Sequence, residues 1–299
     1  MTNKLKRNFS VGSEWLYYKI YSGPKTSDLV LTEIVKPTVK KLIKKNYIDK
    51  WFFIRYSDPH HHLRVRFHCS DIKNIGEVIS LLYKPLNKFL ELDIIWKVQL
   101  DTYQREIERY GANTMEISET LFHFDSEATV DFLDLIEGEE GERLRWLFGL
   151  RSIDQLLNSF NYSPTDKLTL MDNLKTGFGR EFGMSRPLKK QLDEKYRKDR
   201  GNIETFMKFN EESIPEYKPI LAILTHKKKN LDNLAKELLE ITSNTELLLD
   251  FDDLISSYIH MLMVRLFKSK NRLNEMVSYD FLYRYYRTQI AVSKKANKN

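Results

Sequence analysis

Hydrophobic and polar positions follow two different periods along this chain. The first third alternates. "EWLYYKIYSG" (14–23) is dense in aromatic and β-branched residues and ends at a Gly-Pro turn, which predicts a strand. "KWFFIRY" and "HLRVRF" flank the turn signal "SDPHH" and predict a β-hairpin. In "IIWKVQLDTYQRE", Trp96, Val98 and Leu100 alternate with Lys97, Gln99 and Asp101, the period of a half-buried strand. Between these runs "SDLVLTEIVKPTVKKLIKKN" spaces Leu29, Ile34, Val39 and Leu42 as a helix does, and Pro37 predicts a break or kink. "IGEVISLLYKPLNKFLELD" reads as a helix with a proline interruption.

From about residue 116 the pattern changes to long helices of period 3.6. "ISETLFHFDSEATVDFLDLI", "RLRWLFGLRSIDQLLNSF", "IPEYKPILAILTHKKKNLDNLAKELLEI" and "LLLDFDDLISSYIHMLMVRLF" all fit it. "EGEEGE" (137–142) reads as a loop. "GREFGMSRPLKKQLDEKYRKDRGN", charged and punctuated by glycine, reads as a mobile or substrate-side segment. No repeat or low-complexity tract interrupts the chain. The expected fold class is α+β: an antiparallel sheet in the N-terminal part packed against a larger helical C-terminal part, not cut into independent domains.

Composition changes this picture little. With 41% hydrophobic and 30% charged residues, the 299-residue chain is ordinary for a globular protein with a substantial core. No apolar run reaches the ~20 residues a bilayer span needs, and the N-terminal "MTNKLKRNFSVGSEW" lacks the apolar stretch of a signal peptide. The single cysteine, Cys69, excludes an internal disulfide framework, and a cytoplasmic location is the simplest expectation. Charge is informative. From Lys268 to Asn299 eight basic residues face two acidic ones, which accounts for the whole net charge of +6. Such a tail suits an anionic partner such as RNA or an acidic peptide, or is a solvated terminal helix with a frayed end.

The chemistry concentrates in "WFFIRYSDPHHHLRVRFHC" (51–69), with three arginines and four of the seven histidines. Arg64 and Arg66 lie two apart on a strand and share one face, while Leu63, Val65 and Phe67 take the other. Arg55 lies on the partner strand with Phe53. Adjacent guanidiniums repel unless an anion lies between them, and arginine forms planar bidentate bonds with carboxylates. The pair reads either as a carboxylate or oxyanion site or as surface arginines paired to local Asp and Glu. His60, His61 and His62 are consecutive and cannot all face one ion, and no HExxH or CxxC spacing occurs, so no metal is expected. In "DTYQREIERYG", Tyr103 and Arg105 fall on the polar face. Arg105 joins Arg64 and Arg66 if its strand neighbours the hairpin, and otherwise makes ordinary ion pairs at a strand-to-helix junction. In "DDLISSYIHMLMVRLF", Leu254, Tyr258, Leu262 and Leu266 form one stripe and His260 lies opposite, as a satisfied core group or a site residue.

Together "WLYYKIYSGP", "WFFIRYSDPHHHLRVRF", "YQREIERYG", "ETLFHFDSE" and "YIHMLMVRL" resemble the C-terminal elimination domain of the lantibiotic dehydratases, also found as stand-alone thiopeptide biosynthesis proteins. The resemblance runs nearly the whole chain and implies one elimination-type domain over 1–299. In that family, serine or threonine of a ribosomal precursor peptide is glutamylated from glutamyl-tRNA by a separate larger domain. The elimination domain then expels glutamate and leaves dehydroalanine or dehydrobutyrine. The family's elimination residues fall here on Arg64, Arg66, Arg105 and His260, with Arg55 and Tyr103 as further candidates for substrate binding. The implied protein is the detached half of a split dehydratase, a lyase without cofactor, partnered by a glutamylated precursor peptide and a separate glutamylation enzyme. A homodimer is compatible with this. The same fold also serves pyridine synthases, which cyclise two dehydroalanines, and peptide aminoacyl-tRNA ligases, for which tRNA would be a partner. A non-catalytic scaffold for peptide and enzyme is the third class.

Overall fold

The alternating segments pair as strands and the 3.6-period segments coil as helices in this computed structural model, which describes residues 5–244 and 249–296. In chain order the elements are β1 (Asn8–Phe9), β2 (Trp15–Ser22), α1 (Thr26–Val30), a π-helical stretch (Leu31–Val35), α2 (Lys36–Lys44), β3 (Lys50–Ser57), β4 (His61–His68) and α3 (Ile75–Glu91). Next come β5 (Ile95–Asp101), β6 (Tyr103–Gln104), α4 (Ile107–Tyr110), α5 (Met115–Leu133), α6 (Gly138–Ser159), α7 (Pro164–Phe182) and α8 (Arg186–Lys208). The chain continues with α9 (Lys218–Asn244), α10 (Phe251–Leu266) and α11 (Asn271–Ala296). The fold is α+β, a small N-terminal antiparallel sheet followed by helices.

Contacts divide the chain into two compact units, Met1–Leu135 with Glu240–Ser269, and Ile136–Leu239 with Lys270–Asn299. In the first, the sheet order is β3-β4-β2-β5 and every pairing is antiparallel. The register sets Leu16, Ile20, Phe53, Leu63, Val65 and Phe67 on one face, all fully buried. Helices α5 and α10 pack along the outer strand β3. Its edge polar groups are satisfied there: Phe53 N–H donates to Ser126 Oγ (3.1 Å) and His123 Nδ1 donates to the Trp51 carbonyl (3.2 Å). In the second unit α7 packs on α11, with Phe178 edge-on to Tyr279 at 5.2 Å. No described helix is long and apolar enough to cross a membrane.

Several local expectations shift. Pro37 does not end its helix. The π stretch directly upstream widens the turn whose carbonyl the proline ring would otherwise crowd, and Pro37 then sits in the first turn of α2. Pro85 lies inside α3. Residues 138–142 are helical: they open α6, with Glu139 and Glu140 at its positively polarised end. The charged glycine-punctuated stretch closes α7 and builds the 23-residue α8. A bulge at Tyr21/Ser22 takes Trp96 out of the β5 register and leaves it 52% exposed on this edge strand, while Val98 and Leu100 keep the face opposite Lys97, Gln99 and Asp101. "DTYQRE" does not prolong β5, because β6 pairs instead with β1.

Candidate active site

Period-two geometry on β4 places His62, Arg64 and Arg66 on one sheet face. Across the strands Arg66 lies beside Phe52 and Tyr17, Arg64 beside Ile54 and Lys19, and His62 beside Tyr56 and Tyr21. The Arg66 guanidinium sits over three rings, Tyr17 at 4.5 Å, Phe52 at 5.0 Å and Tyr103 at 4.9 Å. It is buried, its Nε has no hydrogen-bond partner, and no carboxylate of the described residues lies within ion-pair distance. Aromatic faces attract a cation without spending its N–H donors. Burial pulls its pKa below the ordinary value, but an arginine remains charged.

Arg64 is held in a similar way. Its guanidinium carbon lies 3.4 Å over the Tyr56 ring, and its Nε donates to His62 Nε2 at 3.2 Å. It too lacks a carboxylate partner among the described residues. Lys19, on the same face, pairs with Asp101. The face therefore presents two adjacent arginines held by neutral groups, their charge uncompensated by acidic side chains. Such a face can bind carboxylate or stabilise a developing oxyanion.

The other expected residues are placed differently. Arg105 is 5% exposed and forks onto buried Glu119, Nε to Oε1 and Nη2 to Oε2, both at 2.7 Å. Burial alone would lower its pKa, but Glu119 outweighs that and holds it above the ordinary value. Its charge is already matched by the protein. Tyr103 joins the two regions: its ring lies under Arg66 and its hydroxyl donates to Glu119 Oε1 at 2.8 Å. Arg55, expected to bind substrate, faces away from Arg64 and Arg66. Its register partner is Leu63, so it points to the opposite sheet face. There it bonds Asp28 (2.6 Å), Ser27 and the Arg265 carbonyl (2.8 Å). His260 is half-buried on α10, on the stripe of Ser256, Ser257 and Val264. One turn before it, Ser257 Oγ accepts from Arg109 Nε at 3.2 Å, and Arg109 lies 3.6 Å from Glu106. His61 turns to the face opposite His62 and bonds the Ser22 carbonyl at 2.9 Å.

The fold recurs in known proteins. The profile of the family described as "Lantibiotic biosynthesis dehydratase C-term" matches residues 15–286. The chain belongs to this lantibiotic dehydratase C-terminal family. It is 33% identical over 128 residues to nisin biosynthesis protein NisB of Lactococcus lactis subsp. lactis, covering 42% of this chain and 12% of NisB. Its fold matches the tRNA-dependent lantibiotic dehydratase MibB of Microbispora sp. 107891 with a TM-score of 0.70 at 21% identity, over 92% of this chain and 28% of MibB. It also matches the pyridine synthase TbtD of thiomuracin biosynthesis, TM-score 0.59 at 11% identity, over 92% of this chain and 100% of TbtD. The chain thus corresponds to a small part of the dehydratases and to the full length of the synthase.

Within this lantibiotic dehydratase C-terminal chain, sequence reasoning missed the groups that hold the arginines. Tyr17, Phe52, Tyr56 and His62 become neighbours only through cross-strand register. Glu119 carried a usable signal. It is an acid on a helix position one turn from buried Met115 and Phe122, and a buried carboxylate needs a cation.

Proposed function

We propose that this chain eliminates glutamate from glutamylated serine or threonine of a ribosomal precursor peptide, as a lyase acting after a separate glutamylation enzyme. The observation that carries the reading is the Arg64–Arg66 pair, charged, adjacent and without a carboxylate partner among the described residues. The substrate ester brings a free carboxylate for one guanidinium. Removing the α-proton builds negative charge on the adjacent amide oxygen, which the other can stabilise. The electron pair forms the Cα=Cβ bond, the Cβ–O bond breaks, and glutamate leaves as a carboxylate. His260 is assigned as a proton carrier, a role typically worth ~10²–10⁴-fold. Arg105 and Tyr103 are assigned to hold the floor under Arg66. The whole chain, 1–299, would act as one elimination-type domain.

The test is mass spectrometry on a glutamylated peptide incubated with the pure protein. The parent should release free glutamate and leave the dehydro residue. Arg66→Gln should keep the fold and lose about 10²–10³ in rate, the worth of a preorganised charge at an oxyanion. The full-length fold match to TbtD supports a second reading as a pyridine synthase. Consumption of a dehydrated thiopeptide precursor with release of a macrocycle, while the glutamyl adduct is ignored, would install that reading. Extension of a peptide from charged tRNA would install a ligase instead.

A further inference from the structure

The acceptor for Arg64 is unusual. An arginine is commonly oriented by a carboxylate, which also cancels its charge, as Asp28 does for Arg55 and Glu119 for Arg105. At Arg64 the orienting group is an imidazole. His62 is 1% exposed, stacked on Tyr21 at 4.7 Å and flanked by Tyr56 at 5.7 Å. Its Nδ1 lies 2.8 Å from the His60 carbonyl, which can only accept. Nδ1 must therefore carry the proton, and Nε2 keeps its lone pair for the Arg64 Nε–H at 3.2 Å. A neutral acceptor fixes the guanidinium's plane above Tyr56 and leaves its charge, and both terminal nitrogens, for a ligand.

We propose that His62 is a positioning residue that holds Arg64 for anion binding through its unprotonated Nε2, and that protonation of His62 releases Arg64. This rests on the elimination reading only for what the bound anion is. A proton on Nε2 would face the Arg64 Nε–H donor to donor, with two positive charges in contact. The charged groups around the ring oppose that proton. The cations that do so are Lys19 on β2 and Arg64 on β4, with Lys97 of β5 over Tyr21 at 5.3 Å; the Tyr21 and Tyr56 rings flank the imidazole, and His61 of β4 acts from the opposite face. No carboxylate is among them. Burial first, then Arg64, Lys19 and His61, hold the His62 pKa below its ordinary 6.5, and only its bond to the His60 carbonyl acts the other way. Arg64 is therefore locked in place at neutral pH and loosens on acidification.

The experiment combines kinetics with a direct view of the ring. His62→Phe keeps a ring between Tyr21 and Tyr56 and removes the acceptor. His62→Gln restores an acceptor that cannot titrate. With the glutamylated peptide, His62→Phe should lower kcat/KM roughly 10- to 100-fold, the worth of a hydrogen bond to a charged group. His62→Gln should recover part of that, and should lose an acid limb that the parent shows below pH 6.5. In the parent, ¹⁵N NMR of the labelled imidazole at pH 7.5 should show Nε2 unprotonated, with its shift moving in Arg64→Leu. Parent-like kinetics and acid limb in both variants would overturn the proposal, as would a protonated Nε2 at pH 7.5. If the parent does not turn over the glutamylated peptide, the elimination reading fails alone. The NMR measurement then still decides the His62–Arg64 contact, also where His62→Phe does not fold.

Discussion

Four arginines of the first unit divide by what holds them. Arg55 and Arg105 are neutralised by buried or half-buried acids, while Arg64 and Arg66 are braced by rings and an imidazole. The division sets what each substitution does. Removing one partner of the Arg105–Glu119 pair leaves an uncompensated buried charge, which costs about 3–5 kcal/mol. Arg105→Ala and Glu119→Gln should therefore lower the urea midpoint together, and Arg105→Lys should recover little because it lacks the planar fork. Arg64→Gln should cost less, about 1–3 kcal/mol, since it breaks the hydrogen bond to buried His62 but no ion pair. Equal stability of Arg105→Ala and the parent would refute the structural assignment and return Arg105 to the substrate. The sequence made Arg64 and Arg66 legible as neighbours, because a separation of two on a strand means one face. It could not separate spent from unspent arginines, since Glu119, Asp28 and Tyr17 reach them only through tertiary contacts.

Elements were readable where one period dominated. The β3–β4 hairpin, β2 and the long helices α5, α9 and α10 follow from alternation or 3.6 spacing. What failed did so where two signals competed. Acidic residues made 137–142 look like a loop, yet Glu139 and Glu140 favour a helix start. The Tyr21/Ser22 bulge took Trp96 alone out of the β5 alternation, which holds from Lys97 to Asp101, and nothing local announces a bulge. Helix α5 also carries a titration. Burial, then Asp131 one turn on, pushes the Glu127 carboxyl up to about 7. Its neighbour His123, 3.5 Å away, is pushed down to about 4 by burial, so it is neutral at pH 8 and offers no cation. A carboxyl whose folded pKa exceeds its unfolded one stabilises the fold fully below the unfolded value, near 4.5, and loses that contribution as pH rises through about 7. Glu127→Gln should match the parent's melting temperature near pH 4.5 and exceed it at pH 8. A variant no more stable than the parent at pH 8 would contradict this.

Charge is divided unevenly over the molecule. The unit Ile136–Leu239 with Lys270–Asn299 holds 26 basic and 19 acidic residues, or +7; the remainder holds 22 and 23, or −1. The sequence showed the basic end, but the share contributed by α8 emerges only once the units are drawn. The arginine face lies in the nearly neutral unit, so its attraction for an anion is local rather than a consequence of net charge. This separates the competing functions. Positions 291–296, at the end of α11, are all exposed, and Val292–Asn299 carries Lys294, Lys295 and Lys298. Lys298 lies outside the described residues. Truncation after Ala291 therefore removes three positive charges and, among the described residues, no buried side chain. If the chain is an eliminase, glutamate release from a glutamylated peptide should be unchanged by this truncation and by added tRNA. Any tRNA binding should be weak and should fall steeply between 50 and 200 mM salt, as counterion release requires. Tight tRNA binding lost on truncation, with peptide extension from charged tRNA, would move the assignment to the ligase and leave the arginine pair to grip a peptide carboxylate.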